Sequence, residues 1–270
     1  GGWQGEVYNP ATGGWEDPIL FQGNHFMGTT VLLADGRALI VGAPSTSPTA
    51  VYAETFDPTT GQVARTGPGL LNRYGAALMT AADGSVVVWA GFAAGTSWPP
   101  VATSERFDPA SGTFRPLSVP VPARWDAAVV GLSDGRFLIA GGSTADQIVQ
   151  QQAVLYNPST NTAVATGSQP GFYWAQTAVR LRDGRVLLCG GYNSFLGSVR
   201  TTADAQIYSP QNGSFTSIAP MMQARSGATA ALLPDGRVLI VGGRDAWNTY
   251  LSNAEVFDPA TQRFSLSDAR

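Results

Sequence analysis

Two short signals alternate along the chain, and their spacing constrains the fold more than any other feature. The first is an aromatic residue, then Asn, Asp or Ser, then Pro. It occurs at Tyr8-Asn9-Pro10, Phe56-Asp57-Pro58, Phe107-Asp108-Pro109, Tyr156-Asn157-Pro158, Tyr208-Ser209-Pro210 and Phe257-Asp258-Pro259. The second is Asp-Gly followed by an apolar run that ends in glycine. It begins at Asp35, Asp83, Asp134, Asp183 and Asp235. From Tyr8 to Asp35, Phe56 to Asp83, Phe107 to Asp134, Tyr156 to Asp183 and Tyr208 to Asp235, the step is always 27 residues. The return step varies from 21 to 25 residues. The chain is therefore a repeat of about fifty residues, with one half fixed in length and one half variable.

Asp-Gly between two apolar stretches is a hairpin signal, because both residues tolerate positive φ. The segment GATAALLPDGRVLIVGG reads as two antiparallel strands, a and b. NAEVFDPATQRFSLS reads as a second hairpin, strands c and d, turned by Pro. Gly13, Gly61, Gly112, Asn161 and Gly213 complete these second turns. Seven residues beyond each motif aromatic stand Trp15, Val63, Phe114, Ala163, Phe215 and Phe264, mostly large and apolar. Paired glycines at Gly141-Gly142, Gly190-Gly191 and Gly242-Gly243 end strand b, where they allow close backbone approach.

Composition narrows the chemistry. Charged residues are 13% of 270, and the net charge is −3, so there is no electrostatic footprint for nucleic acid. No run reaches the ~18 apolar residues that a membrane helix needs, and no N-terminal signal pattern is present. All basic residues are Arg, which removes Schiff-base chemistry and the P-loop lysine. His25 and Cys189 stand alone in their types, so a Cys/His zinc site and an intrachain disulfide are both excluded. Low charge with abundant Thr, Ser and Gly points to an extracellular or cell-surface setting. A chain opening on Gly1 reads as a processed form or a piece of a longer protein.

The order of double glycine, Glu-x-Tyr/Phe-Asp-Pro, then an aromatic seven residues on, resembles the kelch repeat over residues 4–266. Glu6, Glu54, Glu105 and Glu255 fill its acidic position, while Val154 and Gln206 depart from it. The resemblance implies an all-β, kelch-type β-propeller of four-stranded blades. A half-blade would cover 1–20, and complete repeats 21–67, 68–119, 120–168, 169–219 and 220–270. A six-bladed ring is expected, its missing a–b strands lying outside this chain or coming from another, with a five-bladed ring as the competitor. The DGRVLIVGG flavour is similar to bacterial, galactose-oxidase-like kelch sequences. Their copper site uses two His, two Tyr and a Cys cross-linked to Tyr, which one His and one strand-b Cys do not supply. No cofactor or metal is expected.

The variable b–c loops share a face with the start of strand a, and variable loops on a rigid scaffold suit function. Ten residues before each Asp-Gly stand His25, Arg73, Arg124, Tyr173 and Arg225, and beside them Phe26, Tyr74, Trp125, Trp174 and Ser226. The ligand-binding candidates are His25, Arg73, Tyr74, Arg124, Trp125, Asp126, Tyr173, Trp174, Arg225, Asp245 and Trp247. Arg pairs with carboxylates, and aromatic faces stack on sugars or apolar groups. Asp126 stands out because its counterparts Gly75, Ala175 and Gly227 are small. Arg73, Arg124 and Arg225 also have a packing role open to them, and Cys189 reads as a small buried hydrophobe. The expected function is a non-enzymatic module that recognises a protein, a peptide or a carbohydrate. The alternative is a carbohydrate-active enzyme, an epimerase or hydrolase, built on Asp126, Arg and aromatics.

Overall fold

A computed structural model describes residues 3–9, 13–23, 25–43, 52–67, 69, 73–93, 101–195 and 198–267. Most of the first two b–c loops lie outside the described residues. Those described form strands and turns, with no helix among them. The chain divides into two compact units, 1–123 and 124–270.

Each complete repeat is one antiparallel four-stranded sheet in chain order a-b-c-d. In the first unit these are Phe26–Leu32, Ala38–Ala43, Tyr52–Asp57 and Gln62–Arg65, then Ala77–Thr80, Val86–Trp89, Ser104–Asp108 and Thr113–Leu117. In the second unit they are Ala128–Gly131, Phe137–Ala140, Gln152–Asn157 and Thr162–Ser168; Thr177–Arg180, Val186–Cys189, Ala205–Ser209 and Ser214–Ser217; and Thr229–Leu232, Val238–Val241, Ala254–Asp258 and Arg263–Leu266. The N-terminal hairpin is broken into two short ladders, Trp3–Gly5 with Ile19–Phe21 and Tyr8–Asn9 with Gly14–Trp15.

The Asp-Gly turns repeat one geometry. Leu132 N–H donates to Arg136 O at 2.8 Å, Gly135 N–H donates back to Leu132 O at 3.3 Å, and Gly135 sits at φ 83°. This is a three-residue loop, a tight turn closed by a left-handed glycine. The Asp134 carboxylate accepts from Arg136 N–H at 3.0 Å and from its Nε at 2.8 Å. That pairing holds the acid below the ordinary Asp value. In the c–d hairpins the two expected aromatics face each other. Phe107 and Phe114, Tyr208 and Phe215, and Phe257 and Phe264 lie 4.8, 4.8 and 4.9 Å apart. Such pairs contribute about 0.5–1.5 kcal/mol beyond area burial.

The core lies between successive sheets. Leu39 and Val41 of one sheet meet Val86, Val88 and Phe107 of the next. Leu138 and Leu155 meet Val186, Leu188 and Tyr208, while Leu187 and Ile207 meet Val238, Ile240 and Phe257. Strand b of a central repeat is therefore apolar on both faces, and Val186 to Cys189 are all buried. The double glycines stitch neighbours together. Gly142 N–H donates to Tyr173 O at 2.9 Å and Gly191 N–H to Arg225 O at 2.8 Å. A Cβ on Gly141 would lie 2.3 Å from Tyr173 O, and one on Gly190 would lie 2.3 Å from Arg225 O. No side chain fits there.

Candidate functional site

The start of strand a pairs with the first residues of the b–c loop in a short second ladder. Tyr74 pairs with Phe92, Trp125 with Ser143, Trp174 with Tyr192 and Ser226 with Arg244. This ladder carries the sequence candidates, and it sorts them into sealed and open groups.

The sealed group is built around the glutamate of strand c. Arg73 Nη2 lies 2.7 Å from Glu105, and its Nη1 donates to Ala90 O and Thr103 O. Arg225 Nη2 lies 2.9 Å from Glu255, and its Nη1 donates to Gly242 O and Asn253 O. His25 Nε2 lies 2.6 Å from Glu54. The same carboxylates accept backbone N–H groups from the preceding loop: Met222 and Gln223 on Glu255, Gln22 and Gly23 on Glu54. Glu54 and Glu255 thus tie strands a and c to the loop before strand a. Arg73 and Arg225 are 2% and 1% exposed, so their cations are committed to the interior. Removing one partner of such a pair typically costs about 3–5 kcal/mol. Tyr74 is also sealed, at 1%.

The fourth repeat fills both the Arg and the Glu slot with neutral side chains. Tyr173 occupies the Arg slot and donates its hydroxyl to Asp204 at 3.1 Å. Burial, then the Asp204 charge, push its phenol well above the ordinary tyrosine value. Asn193 donates to the same Asp204 oxygen at 3.1 Å. Gln206, in the glutamate slot, accepts from Gln169, which also donates to Gln176 at 2.7 Å. The glutamines carried no sequence signal for this role, because their meeting depends on three separate strands and loops.

The open group is Trp125, Asp126, Trp174 and the loop tips. Asp126, Ala175 and Gly227 share a left-handed backbone at φ 53, 53 and 64°. They are stitched across repeats, Ala175 N–H to Asp126 O at 2.8 Å and Gly227 N–H to Ala175 O at 3.4 Å. A Cβ on Gly227 would meet nothing within 4 Å, so this slot displays its side chain into open space. Only Asp126 fills it with a functional group. Its residue is exposed, yet the surrounding protein desolvates the carboxyl and raises it above the ordinary Asp value. Trp174 stacks on Tyr192 with centroids 5.5 Å apart, and Trp125 Nε1 donates to Thr144 O at 3.3 Å.

Asp245 and Trp247 belong to a rigid loop. The Asp245 carboxylate accepts N–H bonds from Trp247 and Thr249, both at 2.9 Å, which makes it a turn former. Asn248 takes φ 63° at the tip. Arg244 donates to Asn248 Oδ1 at 2.8 Å and lies 4.3 Å over the Tyr250 ring. Trp247 is 84% exposed and Tyr250 74%. The loop at 143–149 follows the same course, with Gln147 at φ 60° and Ile148 exposed. Shallow clefts of about 350 and 320 Å³ lie instead among the Asp-Gly and Pro turns.

The Kelch motif family matches residues 224–266. Kelch-like protein 35 of Mus musculus is 26% identical over 159 residues, 58% of this chain. The chain spans 25% of that relative's length. A fungal alcohol oxidase of the AA5 family, solved in complex with copper, superposes with a TM-score of 0.77 at 22% identity. That match covers 99% of this chain and 58% of the oxidase. YjhT superposes with a TM-score of 0.76 at 14% identity, covering 99% of this chain and 91% of its own. With a sheet for every complete repeat, these matches decide the architecture. The fold of this chain is that of a kelch-type β-propeller, with a Kelch motif at 224–266.

The kelch likeness to a copper oxidase extends to the fold alone. The residues do not fit a copper centre of the kind expected of that subtype. The single histidine, His25, is spent on Glu54. The single cysteine, Cys189, is 1% exposed in strand b, and burial pushes its thiol up to about 12.

Proposed function

We propose that this kelch propeller is a protein-interaction module that presents its b–c loops to a partner. One observation carries the reading: the b–c loop tips of the second unit expose apolar and aromatic side chains on braced backbones. Trp247, Tyr250, Ile148 and Val199 are 84, 74, 59 and 59% exposed. Thr201 donates to Asp245 O at 3.3 Å, which couples two of these loops. Exposed aromatics on a pre-organised loop are the usual anchors of interfaces, because little entropy is lost on docking. The likeness to a kelch-like protein supports the same reading. Low charge supports an extracellular or surface setting for the encounter. A peptide or a glycan would dock through the same aromatics.

The test is affinity capture of the partner by the full chain, then titration with Trp247→Ala and Tyr250→Ala. Loss of at least about tenfold in affinity, a hot-spot effect, is expected for Trp247→Ala. Unchanged affinity in the double variant would rule this face out.

Asp126 is the observation that favours a second, catalytic reading on a carbohydrate. Burial raises its carboxyl above the ordinary Asp value, and no hydrogen bond joins it to a second carboxylate among the described residues. A paired acid–base mechanism requires that partner. Turnover of a glycoside that vanishes in Asp126→Asn would reverse the preference.

A further inference from the structure

In three of the five complete repeats a basic residue at the start of strand a is answered by an acid on strand c. Arg73 meets Glu105, Arg225 meets Glu255 and His25 meets Glu54. Where the basic residue is lost, at Tyr173, the acid is lost too, at Gln206. The third repeat breaks the rule. It keeps Arg124 and places Val154 where its sisters place the acid. Arg124 is 6% exposed. Its Nη1 retains the two carbonyls used in the other repeats, Gln152 O at 3.0 Å and Gly141 O at 3.5 Å. Its Nε is buried without a partner, and no carboxylate among the described residues pairs with the group.

A guanidinium has no accessible neutral form, so burial cannot be relieved by losing the proton. Buried charges are paired, because the desolvation of an isolated ion costs too much. We propose that Arg124 binds a small monoanion, a carboxylate or a halide, in the place where the sister repeats put their glutamate. Valine is shorter than glutamate and brings no oxygen to the guanidinium. The sequence just before Arg124 agrees. Glu255 and Glu54 accept N–H groups from the residues three and two before their basic partner. Two before Arg124 stands Pro122, which has no N–H to donate. A halide or formate, with fewer contacts to satisfy than a glutamate side chain, suits the reduced donor set. This inference is independent of the loop-face reading.

The test uses the full chain at constant ionic strength, exchanging isethionate for chloride or formate. A ligand that binds only the folded state raises the unfolding midpoint. Wild type is expected to gain about 2 °C or more, saturably. Val154→Glu supplies the acid from within, so its midpoint should start higher and stay flat across the anions. Glu255→Val with Arg225 intact should acquire the anion dependence at a second place. Crystals of the wild type soaked in bromide should show an anomalous peak within hydrogen-bond distance of Arg124. Equal shifts in wild type and Val154→Glu, or no bromide at Arg124, would overturn the proposal. The bromide result decides even if a variant fails to fold.

Discussion

Asp126 shows how a single backbone angle can set the chemistry of a side chain. Its slot demands a left-handed residue, which costs most residues about 1–2 kcal/mol and costs glycine little. The sister residues Gly75 and Gly227 pay none of it. Aspartate tolerates the angle and gains an open position, but its carboxyl is desolvated there. The folded-state pKa is raised, so ionisation opposes folding. Below the unfolded value both states are protonated and nothing is lost. As pH rises from the unfolded value through the folded one, stability falls, and the penalty is complete above the folded value. Asp126→Asn should therefore stabilise at pH 7 and be neutral at pH 3. The gain should stay below about 1 kcal/mol, since the residue keeps solvent contact. Urea midpoints at the two pH values check this, and an equal difference at both would mean the carboxylate is well solvated. The sequence singled Asp126 out only by contrast with small residues in register. The glutamate hub was half legible. Its acids recur in register, but its backbone donors at Met222 and Gln223 bear no residue signature.

At the scale of the strand and turn, the sequence was most transparent where the chemistry is local. Asp-Gly fixes a turn through one carboxylate and one left-handed glycine, so all five a–b hairpins could be placed before any contact was known. The double glycine was legible as a close approach, but not its object. The structure shows that the two glycines differ in kind from other left-handed glycines. Gly141→Ala would drive a methyl to 2.3 Å from Tyr173 O and break the stitch between repeats. Gly227→Ala meets open space and repeats what Ala175 already does. The first should cost more than about 3 kcal/mol or prevent folding, and the second about 1 kcal/mol. Thermal or chemical unfolding of the two variants separates steric from conformational cost. Comparable losses would mean that the repeats can shift apart freely.

For the molecule as a whole, the fifth repeat differs from those before it. The last residue of strand b is 1% exposed at Trp89, Ala140 and Cys189, but 46% at Val241. Thr229 and Ala231 share the Val241 face and are exposed too, while Val238 and Ile240 on the other face are fully buried. One sheet face of this repeat thus exposes apolar side chains, and such faces promote association. Sedimentation of this chain should show self-association that grows with concentration, and Val241→Lys with Ala231→Lys should raise the monomer fraction. A wild type that stays monomeric throughout would show that the face is harmless. The stitches have a mechanical consequence as well. Gly142 and Gly191 each hand a bond to the following repeat, whereas Gly243 hands on none among the described residues. Under tension at the C-terminal end, the fifth repeat should peel first. Each later release would pay out about fifty residues, on the order of 170 Å of chain, so the propeller would behave as a ratchet of equal steps rather than as one brittle body.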